Sequence, residues 1–215
     1  MPLATEDLER LTASDLVRLK LTGDEKARLR EINNARQQER AERSVRLREE
    51  EEPILVDLRG IGCKLESVWD LVNTSIKYTE AIPVLLKHLS LPYSDRTREG
   101  IARSLAVPEP EVREAWPMLV AEYRKASMGF GIIAPGDTKQ FRLGAKDALA
   151  CVLSVSVTDE TLKELISIAK DRTQGDSRIL LLSALRKSKN PLAKQAIKDL
   201  ASDPDLEKEI ISWRL

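Results

Sequence analysis

Two patterns of apolar and polar positions divide the chain. From Ser67 onward apolar residues recur at helical spacing in blocks of about a dozen positions, each closed by a proline or a polar turn, which predicts a run of short amphipathic helices. Val68, Trp69, Leu71 and Val72 mark the first, and Ile82, Leu85, Leu86 and Leu89 the second. Ile101, Ala102 and Leu105 follow, then Val112, Ala115, Trp116, Leu119 and Val120. After a long connection, blocks start at Phe141, Leu162, Leu181, Leu192 and Leu206. The segment Asp24 to Glu52 is different. It is dominated by Arg, Glu and Gln, opens on Thr22 with Glu25 at capping-box spacing, and meets no breaker before Pro53, so it predicts one long charged helix of about 40 Å. A short apolar helix, Ile54 to Leu58, is expected to end at Gly60 and Gly62. The acidic run Glu49 to Glu52 before Pro53 predicts a boundary, giving a charged helical arm or cap over 1–60 and a helical array over 61–215. The arm is expected to be a solvated, ion-paired surface helix; the alternative is burial against a partner or a second copy, a homo-oligomer through the N-terminal helix.

The apolar positions also repeat over a longer distance. A shift of 80 takes Ile82 to Leu162, Leu85 to Leu165, Leu86 to Ile166 and Leu89 to Ala169. It carries Ile101, Ala102 and Leu105 onto Leu181, Leu182 and Leu185, and Arg98 onto Arg178; half the shift reaches Phe141 and Ala145. A period near 40 with two helices per unit predicts an all-α array of stacked antiparallel helix pairs. In such an array the second helices present a continuous outward face. The 40-residue step puts Glu99, Lys139 and Ile179 in one row there and Arg103, Leu143 and Ser183 in another, and these six are the candidate partner-binding residues.

The segment AIPVLLKHLSLPYSDRTREGIARSLA (81–106) resembles a HEAT repeat: Pro83 lies early in the first helix, a leucine ladder follows, and Arg98 opens the second. The resemblance extends over Thr161 to Lys187 and Pro191 to Leu215, where SDPDLEKEI is similar to the usual turn between paired helices, and it covers roughly the last 140 residues. It implies a HEAT-like α-solenoid. The middle unit departs from the pattern, because 126–137 inserts a Gly-rich connection and Arg142 occupies a position that is apolar in its neighbours.

Composition narrows the chemistry. Of 215 residues 42% are hydrophobic, 33% charged and only 4% aromatic, and 35 Lys plus Arg balance 35 Asp plus Glu, so no net field draws in nucleic acid or an anionic membrane. No apolar run reaches the roughly 20 residues of a membrane helix, and an acidic N-terminus argues against export, so a cytoplasmic protein with two reduced thiols is expected. Cys63, Cys151 and the single His88 form no metal spacing, so neither a metal nor a cofactor is expected. Gly129-Phe130-Gly131 lacks the strand and later glycine of a dinucleotide loop. The apolar residues of that connection, Phe130, Ile132 and Ile133, are a candidate second contact, and Arg98 and Arg178 predict ladder residues that bind a neighbouring carboxylate or carbonyl. His88 is expected at a half-exposed helix position without a role, and Cys151 as a small core residue. Together these features predict a non-enzymatic protein-binding module, in its sharpest form an immunity or inhibitor protein that neutralises a toxin domain. The alternative is a HEAT-like enzyme such as an alkylpurine DNA glycosylase or a bilin lyase-like protein, for which Arg186, Lys187, Lys189, Lys194 and Lys198 supply the one basic cluster.

Overall fold

The computed structural model describes residues 4, 7–8, 11–72 and 74–213. The chain is mostly helical and divides into two compact units, 1–46 and 47–215. In the first, α1 (Ala13–Arg18) starts on a Thr12–Asp15 capping box. The next helix, α2 (Gly23–Gly60), starts on the expected one, with the Thr22 amide donating to Glu25 Oε2 at 2.8 Å and the Glu25 amide to Thr22 Oγ1 at 3.3 Å. Most side chains between 26 and 46 are exposed, and no apolar stripe runs along this part of the helix.

The expected break at Pro53 does not occur, because α2 runs on through the proline to Gly60. A proline inside a helix removes one backbone donor and costs about 3 kcal/mol in isolation. Here tertiary contacts outweigh that cost. Ile54, Leu55 and Leu58 are buried in the core of the second unit. The Glu50 carboxylate accepts from the Ser94 amide (2.8 Å), Ser94 Oγ (2.6 Å) and Thr97 Oγ1 (2.5 Å), while Glu51 accepts from Ser67 Oγ (2.7 Å) and the Val68 amide (3.1 Å). Two acids of the run, Glu50 and Glu51, therefore bind the starts of other elements of the second unit. Burial raises the Glu51 carboxyl, opposed by its hydrogen bonds to Ser67 and Val68.

A 3₁₀ turn (Val68–Leu71) stands where the first amphipathic helix is expected. It is followed by α3 (Ile82–Leu89), α4 (Asp95–Ser104), α5 (Pro110–Glu114), α6 (Trp116–Lys125), α7 (Ala145–Ser156), α8 (Leu162–Lys170), α9 (Arg178–Lys187), α10 (Pro191–Leu200) and α11 (Glu207–Ser212). Pro117 at the start of α6 divides what the apolar pattern read as one helix, and Pro191 with Asn190 as N-cap opens α10. Two short strands, β1 (Phe130–Gly131) and β2 (Phe141–Arg142), pair antiparallel in the long connection.

Three helices lie in a row. The contact of α4 with α7 is the most extensive in the fold and that of α7 with α9 the next, while α3, α6 and α8 each pack on one member of the row. All seven apolar positions related by the shift of 80 have matching environments: Leu86 and Ile166 are partly buried, and the other pairs are at most 2% exposed. The half-shift fails. The apolar triplet of α4 (Ile101, Ala102, Leu105) recurs in α7 as Leu149, Ala150 and Leu153, 48 positions on, and in α9 as Leu181, Leu182 and Leu185, a further 32 on. The hairpin connection delays α7 by eight positions, and the shorter connection after it restores the register.

Candidate functional site

The delay decides which residues share the outer face of the row. Lys139 lies in the hairpin connection and Leu143 directly after β2, so neither is on a second helix. Eight positions later stand Asp147 and Cys151 on α7, and these complete the two rows as Glu99, Asp147, Ile179 and Arg103, Cys151, Ser183. The charges of Glu99 and Arg103 act on Asp147 and that of Arg103 on Cys151, while Cys151, Ile179 and Ser183 line one groove. Arg103 and Ser183 are exposed and Ile179 half-buried. Glu99 departs from expectation: it is only 8% exposed, because Arg96 (2.8 Å) and Arg103 (2.8 Å) hold its carboxylate against the start of α7. A Cβ on Gly144 would lie 2.5 Å from that carboxylate, so a side chain there would push Glu99 out of its place between Arg96 and Arg103. Asp95 of α4 caps α7 by accepting from the Gly144 (2.7 Å) and Ala145 (3.2 Å) amides; burial raises its carboxyl, opposed by these two bonds.

Beneath the face runs a series of basic residues at the same offsets. Arg98 donates to Glu122 at 2.7 Å. Lys146 donates to the carbonyls of Tyr123 (3.0 Å) and Ala126 (3.2 Å) and to Gln174 Oε1 (2.9 Å), three acceptors for three N–H groups. Arg178, fully buried, bonds the carbonyls of Gly175 (3.1 Å) and Ala169 (3.2 Å), Asp203 (2.9 Å) and Asp205 (2.7 Å). The reading of Arg98 and Arg178 as ladder residues agrees with these partners, and Lys146 is the member that the 40-residue step missed. Burial lowers the Lys146 ammonium, and the Arg178 guanidinium holds the Asp203 carboxyl at about 2.

Along the α7–α9 side of the face lies an open groove of about 710 Å³ whose walls include Cys151, Val155, Ile179, Leu180, Arg186 and Trp213. It continues past Ser154, Val155 and Lys187 into a second stretch of about 420 Å³ that reaches Arg113, Asp159 and Lys189. The Arg186 guanidinium lies 5.0 Å from the centre of the Trp213 ring. Cys151 is half-buried rather than core; burial raises its thiol, opposed by the charge of Arg103. In the hairpin connection Phe130 is 71% and Ile132 48% exposed, whereas Ile133 is half-buried and its carbonyl accepts from the Arg96 amide at 2.9 Å. A smaller cavity of about 190 Å³ lies between Phe130, Arg142, Lys146 and Asp147.

His88 is not half-exposed but 3% exposed; its Nε2, 2.9 Å from Asp57 Oδ2, ties α3 to α2, and its Nδ1, 2.8 Å from the Tyr93 hydroxyl, holds the connection that follows α3. No group of three His, Cys, Asp or Glu residues suited to a metal ion occurs among the described residues, and no helix there is long and apolar enough to cross a membrane. Neither a family model, nor a curated protein, nor a solved structure matches the chain.

Proposed function

We propose that the protein is a HEAT-like binding module that recognises another protein through the outer face of α4, α7 and α9, and that it acts by covering its partner rather than by catalysis. The observation that carries this reading is the composition of that face. Side chains from three adjacent helices combine apolar surface (Val155, Ile179, Leu180) with charge of both signs (Arg103, Asp147, Lys187), the mixture typical of protein interfaces rather than of phosphate-binding grooves. The solenoid part of the proposal is supported by the recurrence of burial and of buried basic residues at offsets of 48 and 32. Rigid helices fixed by Arg98, Lys146 and Arg178 hold the face in one geometry, which lowers the ordering cost of association. Neutralisation of a toxin domain is the sharpest form of the reading. It rests on the balanced charge and the chemistry of the face.

The test is photocrosslinking from the face and away from it. A benzophenone amino acid at Ser183 is expected to capture one protein from native lysate, and the same probe at Lys163, exposed on α8, is expected to capture none. Capture from Lys163 with none from Ser183 would overturn the proposal.

A further inference from the structure

We infer that the groove from Trp213 to Arg113 takes an acidic, apolar-bearing peptide segment of the partner. This deepens the proposed function and rests on it. The argument is charge complementarity around an apolar floor. Val155, 39% exposed, forms the middle of the floor, and Leu180 and Trp213 continue it at one end. The cations at its sides are Arg186 and Lys187 on α9, Lys189 just beyond, and Arg113 on α5. None of these four forms an ion pair with a carboxylate among the described residues, whereas other cations of the same unit do: Lys170 holds Asp199 at 2.7 Å, Arg172 holds Asp203 at 3.2 Å and Arg178 holds Asp203 and Asp205. The two acids of the groove are already engaged, Glu209 by Trp213 Nε1 (3.0 Å) and Asp159 by Asn190 Nδ2 (3.0 Å). Those two donors are neutral, so both carboxylates keep their charge, and the four cations, Arg186 among them stacked on Trp213, still outnumber them and leave a positive rim in a molecule with no net charge. Such a rim selects negative charge, and the Val155–Leu180–Trp213 floor selects aliphatic or aromatic side chains between the acids, which a phosphate backbone does not offer.

Selection of a displayed library of random 12-residue peptides on the full-length chain tests this. Enriched sequences are expected to combine Asp or Glu with large apolar residues, and their affinity, read by fluorescence anisotropy, is expected to fall about ten-fold in Lys187→Glu and in Val155→Asp. Circular dichroism and melting establish that each variant is folded. Because Val155 is half-exposed at a groove, a second reversal, Lys189→Glu, keeps the test available if Val155→Asp does not fold. Enrichment of basic or uncharged peptides, no enrichment at all, affinity indifferent to Lys187→Glu and Lys189→Glu, or tighter binding of a 20-base-pair DNA duplex than of any peptide would each overturn the inference. Capture of a protein from Ser183 alongside any of these results would leave the binding module standing and remove only its acidic ligand.

Discussion

Replacing Asp203 with alanine is expected to destabilise the second unit more than any other single change at a carboxylate. Arg178 has no exposed surface, and its guanidinium is held by two backbone carbonyls, Asp203 and Asp205. Removing one partner of a buried ion pair costs about 3–5 kcal/mol, because a desolvated charge is left behind. Asp205 remains 2.7 Å from Nη2 but is half-exposed, so its compensation is partial, and the expected cost is at the lower end, about 3 kcal/mol. With a urea m-value of about 2 kcal/mol/M, the midpoint should move down by about 1.5 M with m unchanged. Asp205→Ala, which leaves the buried pair intact, should cost about 1 kcal/mol or less. The effect also has a pH signature. The Asp203 carboxyl lies at about 2 in the folded chain against 3.8 when unperturbed, so its stabilising effect is complete above 3.8 and is lost as pH falls toward 2. The gap between wild type and Asp203→Asn should thus be constant from pH 7 to 5 and close between about pH 4 and pH 2. A change below about 0.5 kcal/mol at pH 7, or a gap that widens in acid, would refute the argument.

Three further outcomes follow from single contacts. Gly100→Ala would gain about 1 kcal/mol in an ordinary helix, but its Cβ would lie 2.8 Å from Trp69 Nε1, and Trp69 is itself held by Arg96 at 3.8 Å, so a net loss of about 1 kcal/mol is expected in a urea melt. Lys146→Met removes an ammonium that satisfies three acceptors and takes that donor from the Tyr123 and Ala126 carbonyls and from Gln174 Oε1, with an expected loss of about 2 kcal/mol by the same assay. Hydrogen exchange should be faster at amides 26–46 than in α7, whose side chains are mostly buried; equal protection would contradict the reading of the arm as a solvated helix.

Legibility in the sequence followed the physics of each feature. The helices of the second unit were legible because each buries a one-sided stripe, and the shift of 80 was legible because α3 with α4 and α8 with α9 occupy matching environments. What hid the middle member was a compensated insertion. The hairpin adds eight positions before α7 and the next connection omits eight, so a constant 40-residue step passes over Asp147 and Cys151 and lands on Lys139 and Leu143. The signal that finds them was present as the buried basic series Arg98, Lys146 and Arg178, but it asks for a lysine to be read as an arginine's equivalent. The passage of α2 through Pro53 was not legible, since the contacts that support it, Glu50 to Ser94 and Thr97 and Asp57 to His88, join residues more than thirty positions apart. His88 was misjudged for the same reason: its neighbours in sequence say nothing of Asp57.

The most direct test of recognition by the α4–α7–α9 face is the affinity of the captured partner for Ser183→Glu, measured by titration calorimetry with Lys163→Glu as the control. Both positions are exposed, so both variants should fold with stability changes within about 0.5 kcal/mol. A bound face predicts a loss of about 1–3 kcal/mol of binding free energy for Ser183→Glu and none for Lys163→Glu. Unchanged affinity in Ser183→Glu, or a loss confined to Lys163→Glu, would place the recognition surface elsewhere and contradict the account.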